Sequence, residues 1–243
     1  MRLLLSWSGG KDAAWALQSL RAEPGVEVVG LLTTVTAEYE RIAMHGIRRA
    51  LLHAQAQATG LPVIEATIPA QCDNATYEAS FAAALDEARA RWPDLTNIAF
   101  GDLFLEDVRA WREALCARLG WTPRFPLFGR DTAELAREMI AGGLRANLCC
   151  VDTQQLDASF SGRAFDATLL ADLPPSCDPC GERGEFHTLV HAGPMFAHPI
   201  AIERGESVLR DGRFAYTDFE RVDFDGADLD SADFDGADPN AAA

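Results

Sequence analysis

Apolar residues along this chain fall into two alternating textures. Leu3-Leu4-Leu5 is an unbroken apolar run of strand length, interrupted by Gly9-Gly10 and followed by Ala13, Ala14, Ala16, Leu17 and Leu20 at helical spacing. The pattern predicts a strand, a tight loop and a helix. Val26 to Val35 reads as a buried strand. His45 to Thr59 then places Ile47, Leu51 and Ala54 on one helical face, with Gly60 as its stop. Leu61 to Ile68 supplies a third strand, and Asn74 to Trp92 carries Phe81, Leu85, Ala88 and Trp92 on one stripe. A fourth strand, Asn97 to Phe100, runs into Gly101-Asp102, and Val108, Trp111, Leu115 and Leu119 mark the next helix. Strands alternating with amphipathic helices imply parallel crossovers and an α/β sheet covered on both faces. Ligands in such sheets sit beyond the carboxyl ends of the strands, where the Gly9-Gly10 and Gly101-Asp102 loops would both lie.

From Trp121 the texture changes. Pro123, Pro126 and Gly129 interrupt the chain, Asp131 with Glu134 forms a capping box for a helix through Leu135 and Met139, and a strand follows from Leu144 to Val151. A segment rich in loops comes next, with Pro174, Pro175 and Pro179. These changes predict a first domain over 1–122 and a second, smaller α/β domain over 123–217. Residues 218–243 hold nine acids and one arginine, and are expected to be a disordered acidic tail.

The formal net charge of −16 is shared between that tail and the body. It argues against direct nucleic-acid or anionic-membrane binding through a basic face, yet allows a small anion in a locally positive pocket. No apolar run approaches membrane-spanning length, and the N-terminus reaches Lys11 and Asp12 too soon for a secretory signal. Six irregularly spaced cysteines fit reduced thiols in a cytoplasm. Nothing in the pattern speaks to oligomeric state.

Against that background the stretch Ser6-Trp7-Ser8-Gly9-Gly10-Lys11-Asp12 holds the only lysine among 21 basic side chains. A strand that ends in Ser-Gly-Gly-Lys at a helix N-terminus offers backbone amides, a hydroxyl and a cation to one point, which suits a phosphate. It is neither a Walker A loop nor a G-x-G-x-x-G turn. A compact ammonium enters such a loop more readily than an arginine fork does.

Ser8-Gly9-Gly10-Lys11-Asp12 resembles the PP-loop of the N-type ATP pyrophosphatases. Gly101-Asp102-Leu103-Phe104 with Glu106-Asp107, Phe125-Pro126-Leu127-Phe128-Gly129 with Asp131-Thr132, and Cys180 to Thr188 extend the likeness to the diphthine-ammonia ligase group and its bacterial-type relatives over about residues 1–200. The resemblance implies an ATP-binding domain of the HUP type. It also implies a ligase reaction in which ATP, with Mg²⁺, activates an acceptor carboxylate as an acyl-adenylate, pyrophosphate leaves, and ammonia displaces AMP. The acceptor itself, on a protein or free, is not identified. On this basis Ser6, Ser8, Gly9, Gly10, Lys11, His45, Gly101 and Asp102 would face the nucleotide. Lys11, Asp12, Glu182 and Glu185 would carry the chemistry, and Glu182, Gly184, Glu185, His187 and Thr188 would meet the acceptor. Two positions depart from the family pattern: Ala13 stands where a serine is usual, and Arg183 replaces the first glycine of a Glu-Gly-Gly-Glu-type motif.

Other readings stay open. Glu182 and Glu185 flank Gly184, and such a spacing could aim both carboxylates at one cationic ligand. Cys177-Asp-Pro-Cys180 with His187 and His191 has a zinc-like outline, but the gap from Cys180 to His187 is short for a finger, and no metal site is assigned. The same thiols could carry sulfur in a PP-loop sulfurtransferase, and a HUP-fold ATP sensor without catalysis is a third possibility.

Overall fold

The computed structural model describes residues 1–222. Strand β1 (Arg2–Ser6) keeps Leu3, Leu4 and Leu5 fully buried, the unbroken apolar reading of a strand covered on both faces. The loop after it leads directly into α1 (Lys11–Ala22), with Gly10 as an extended N-cap residue. Strand β2 (Glu27–Thr36) follows, and its end is met antiparallel by the two-residue β3 (Arg41–Ile42).

Here the chain departs from the expected helix over 45–59. His45 and Gly46 lie in the turn after β3, and α2 spans Arg49–Thr59 only. Met44 (φ 66°) and Gly46 (φ 69°) are left-handed, which no right-handed helix accommodates. Ile42 N donates to Ile47 O and Arg49 N to Glu40 O, closing a hairpin instead. The stop at Gly60 is as expected, left-handed at φ 72° with its N–H donated back into the last turn.

Strand β4 (Val63–Ile68), α3 (Asn74–Arg91), β5 (Asn97–Ala99), α4 (Glu106–Arg118) and β6 (Thr122–Arg124) complete the first layer. β2 pairs in parallel with both β1 and β4, β1 also with β5, and β5 with β6, so the parallel strands run β4-β2-β1-β5-β6. This is the doubly wound, HUP-type arrangement. Leu3, Leu5, Leu31 and Val35 face one core with α1 and α2, while Leu4, Leu32 and Ile98 face the other with α3 and α4. The order reverses between β1 and β5, which opens a crevice at their carboxyl ends.

The second sheet is antiparallel throughout, in the order β8-β7-β10-β9, built from β7 (Arg145–Asp152), β8 (Phe186–Ala192), β9 (Ile202–Arg210) and β10 (Phe214–Arg221). Two helices accompany it, α5 (Thr132–Ala141), capped by Asp131 as its side chain accepts from Glu134 N, and α6 (Ala167–Asp172). The first core cluster runs without a break from Leu3 and Leu5 to Leu189, Val190 and Phe219. β9 and β10 join through Asp211, Gly212 and Arg213, a three-residue connection in which Asp211 (φ 53°) and Gly212 (φ 62°) are left-handed and Arg213 N donates to Arg210 O.

β10 also corrects the expected start of the acidic tail at 218. Phe219 is buried in the core, and Asp218 pairs with Arg41 and Arg48. Averaged charge hid this alternation of inward and outward side chains. The rest of that expected tail, 223–243, lies outside the described residues.

Candidate functional site

The loop between β1 and α1 is shaped by what packs behind it. Gly9 is left-handed at φ 76°, and a Cβ there would fall 2.8 Å from Ile47 Cδ1 and 2.9 Å from Gln55 Oε1. A Cβ on Gly10 would come within 3.0 Å of His45 Nε2 and 3.2 Å of Thr188 O. Only glycine fits at position 9, and at position 10 a side chain would require His45 and the Thr188 carbonyl to give way. Gln55, fully buried in α2, donates through Nε2 to Gly9 O (3.0 Å) and Val190 O (2.7 Å), and its Oε1 accepts from Trp7 Nε1 (2.9 Å). Val190 N donates to Gly9 O as well. Sequence reasoning missed Gln55; its signal was a polar side chain on the apolar face of a helix.

Two loop amides that the sequence presented as free are engaged. Gly10 N donates to Ser8 Oγ at 3.3 Å, and Lys11 N to Thr188 Oγ1 at 3.0 Å. Thr188, 2% exposed on β8, therefore ties the second sheet to the start of α1 and supports the loop from behind.

A cavity of about 310 Å³ opens at the crevice. Ser6, Ser8, Lys11 and Asp12 line it from the loop side, Gly101 and Asp102 from the end of β5, His45 from the β3 turn, Glu182 and Gly184 from the loop before β8, and His187 and Thr188 from β8 itself. Gly101 is needed for this approach, since a Cβ on it would fall 2.9 Å from Ala13 N. Arg112 of α4, Tyr77 of α3 and Phe100 also line the cavity and were not singled out from the sequence. Arg112 Nε sits 2.6 Å from Asp102 Oδ2, and its guanidinium lies 4.3 Å from the Phe100 ring centre.

Lys11 is 2% exposed, with Nζ 2.8 Å from Asp12 Oδ2 and 5.3 Å from the Phe186 ring centre. Burial alone would lower its pKa, but Asp12, Cys180 and Glu182 outweigh burial and raise it, so the ammonium is retained. Burial raises Asp12 against the pull of Lys11, and Asp12 Oδ1 is buried without a partner. The rings of His45 and His187 lie 4.4 Å apart. Burial lowers both, with His187 and Lys11 adding to the effect on His45 and Lys11 to that on His187, which falls to about 4. Both imidazoles are therefore neutral at pH 7.

The two glutamates separate. Glu182 faces the cavity, and its Oε1 accepts from Leu103 N at 2.8 Å and Phe104 N at 3.4 Å. Burial pushes its carboxyl up to about 7, with the Leu103 N–H opposing and the Asp12 charge adding. Glu185 is 1% exposed and turned into its own loop, accepting from Asp178 N (2.8 Å) and Arg183 N (2.9 Å). Asp178 completes that scaffold by accepting from Cys180 N, Glu182 N and the Thr132 hydroxyl. The expectation that both carboxylates aim at one ligand is thus corrected: the positive-φ glycines Gly181 and Gly184 curl the loop so that Glu185 serves the backbone.

Cys177 and Cys180 are buried, and burial pushes the Cys177 thiol up to about 12 and raises Cys180 as well. Their sulfurs meet the carbonyls of Asp178 and Thr132. Among the described residues no group of three or more His, Cys, Asp or Glu side chains is placed to hold a metal, and no helix is long and apolar enough to cross a membrane.

Comparison with known proteins supplies an independent line. The family profile described as "Diphthamide synthase N-terminal domain" matches residues 1–123, and "Diphthamide synthase C-terminal domain" matches 131–222. Relatives named diphthine--ammonia ligase include one from Danio rerio, 28% identical over 243 residues, covering 91% of this chain and 94% of the relative. The Mus musculus protein is 24% identical over 237 residues, covering 86% and 85%. The Schizosaccharomyces pombe protein is 26% identical over 225 residues, covering 86% of this chain but 37% of its own length.

Proposed function

Because the chain belongs to the diphthamide synthase family, we propose that it is an ATP-dependent, AMP-forming amide ligase that adenylates an acceptor carboxylate and passes the acyl group to ammonia. One observation carries the reading. The Ser8–Lys11 loop and Glu182, remote in sequence, line one cavity at the switch point of the parallel sheet.

In this scheme an acceptor carboxylate oxygen attacks the α-phosphorus of ATP, and the bond to the bridging oxygen breaks. Pyrophosphate leaves with that electron pair, toward Ser8, Gly9, Gly10 and the Lys11 ammonium. Ammonia then attacks the acyl carbon and AMP departs. Ser6, His45, Gly101 and Asp102 flank the nucleotide, and the neutral His45 adds no charge beside Lys11. Ala13 leaves the loop without one expected hydroxyl, and Arg112, held by Asp102, brings a cation to the same cavity. Asp12 Oδ1, which has no hydrogen-bond partner among the described residues, is the protein oxygen that would hold a Mg²⁺ carried by the nucleotide, and such an ion would offset phosphate charge there. His187, Thr188 and Gly184 border the acceptor, whose carboxylate is taken to be on a protein or a free metabolite. The division of the chain near 122 then separates the nucleotide-holding part from the part that brings Glu182, His187 and Thr188 to the acceptor, and a cytoplasmic setting fits the reduced cysteines.

Glu182 is placed to take the proton that ammonia sheds. Below about 7 its carboxyl is neutral and cannot accept it; above, it is charged and can. The activity ratio of the protein to its Glu182→Gln variant should therefore rise as pH increases from 6 to 8, and taking the ratio cancels the change in free ammonia. A ratio flat with pH removes this role.

The reading as a whole is tested by incubating the protein with Mg-ATP, ammonium and a metabolite-and-protein extract, then resolving AMP plus pyrophosphate from ADP plus phosphate. AMP that depends on extract is expected; ADP would overturn α-phosphate chemistry. A sulfurtransferase gains nothing from thiols that are buried and held protonated, and a sensor does not account for relatives named as ligases.

A further inference from the structure

A second cavity, of about 520 Å³, adjoins the first between the β2–β3 hairpin and the β9–β10 hairpin. Ile42, Ala43 and Met44 line both, so a single three-residue stretch forms the partition. The walls are braced by the protein itself. Asp218 pairs with Arg41 and Arg48, the Tyr216 hydroxyl donates to Met44 O at 3.3 Å, and the Tyr216 ring lies where a Cβ on Gly46 would be only 2.8 Å away. The volume falls in the range of small-ligand sites, roughly 300 to 1,000 Å³.

Two features of this cavity are unused by the fold. Tyr39 and Met44 are 63% and 70% exposed, large side chains left in water at the rim. Arg210 also lines the cavity, and among the described residues its guanidinium has neither ion pair nor hydrogen bond, whereas Arg41 and Arg48 are engaged by Asp218. An unpaired guanidinium beside exposed aromatic and thioether groups suits an anionic group at the end of an apolar body. Asp211 lines the same cavity without an ion pair among the described residues, which disfavours a cluster of negative charge there and favours a single anionic group on Arg210.

We propose that this cavity holds the body of the acceptor, and that the acceptor is an extended dianion. One carboxylate reaches past Ala43 to the nucleotide cavity, an apolar or aromatic stretch lies against Tyr39, Met44 and Tyr216, and a second anionic group meets Arg210. The assignment of this ligand as acceptor rests on the ligase reading above. The same chemistry is presented by a free dicarboxylic acid and by two acidic side chains flanking an aromatic residue on a peptide.

Calorimetric titration of the intact protein with suberate and with the blocked peptide acetyl-Glu-Tyr-Glu-amide separates these two sources, with octylamine as the control of opposite charge. Saturable binding of one probe is expected, weakened about tenfold or more in Arg210→Glu, as loss of a charge-assisted hydrogen bond implies, and largely restored in Arg210→Lys. Absence of saturable binding by either probe, or equal binding by Arg210→Glu, overturns the site. In the extract assay, Arg210→Glu should need about tenfold more extract for half-maximal AMP formation, with its dependence on ATP unchanged. A variant that binds the probe weakly but responds to extract as the parent does overturns the acceptor role. If the parent protein makes no AMP, the ligase reading fails and takes the acceptor role with it, while the titration alone still decides whether the cavity binds a dianion.

Discussion

Lys11→Met should lower AMP formation about a hundredfold or more while the protein remains folded. Removing one preorganised group that stabilises transition-state charge commonly costs about 10²–10³ in rate. The Lys11 ammonium is buried, is kept charged by Asp12, Cys180 and Glu182, and lines the cavity where pyrophosphate is proposed to depart. Methionine keeps a four-atom apolar stem while removing the ammonium, which lies 5.8 Å and 5.3 Å from the ring centres of Phe165 and Phe186. The substitution leaves Asp12 without its ion-pair partner, but the Asp12 side chain is 27% exposed and can be met by water, so collapse of the fold is not expected. The double variant Lys11→Met with Asp12→Asn removes both charges and controls for the orphaned acid. Turnover of either variant within about threefold of the parent, where loss of a transition-state group predicts far more, would remove Lys11 from the chemistry. A circular-dichroism melt alongside separates lost chemistry from lost structure.

The second large effect is expected at a residue that touches no substrate in the proposed scheme. Gln55→Leu should destabilise the protein by about 2–4 kcal/mol, because buried polar groups left unpaired cost about 1–3 kcal/mol each. Trp7 Nε1 loses its acceptor and Val190 O loses the donor that Gln55 supplies, while Gly9 O loses one of its two donors and keeps Val190 N. Activity should fall too, since Gly9 is held in its left-handed conformation against Gln55. Gln55→Glu should be worse, because it keeps an acceptor for Trp7 but sets a buried carboxylate against two carbonyls. Urea unfolding measures both; a loss within about 0.5 kcal/mol, the range of an ordinary surface substitution, would show that the loop does not depend on this amide.

Much of the first layer was legible from local pattern. Leu3-Leu4-Leu5, the run through Val35 and the stripe of Phe81, Leu85 and Ala88 carry their own periodicity, and each became the expected strand or helix. The glycine loop between β1 and α1 was legible because Gly9-Gly10-Lys11 is contiguous. The helix over 45–59 was misplaced at its start because apolar spacing is blind to a left-handed residue such as Met44. The strands after Val151 were not assigned from the sequence, although Asp211-Gly212 marked a hairpin turn, because β9 is exposed along most of its length and shows no apolar alternation.

The sequence by itself determined the parallel sheet, the glycine loop at its switch point and the family likeness, since each rests on residues that are neighbours in the chain or repeat at a fixed period. Only the tertiary structure decided that Glu182 enters the cavity while Glu185 ties down its own loop, and that Thr188 and Gln55 set the glycine loop from behind. It also decided that Arg210 stands beside a second cavity with no ion pair among the described residues. The contacts of Glu182, Thr188 and Gln55 join groups 46 to 177 positions apart in the chain, and even the short-range contact of Glu185 with Asp178 N depends on how the loop curls. Local spacing records a side chain's identity and face, but not the partner that folding brings to it.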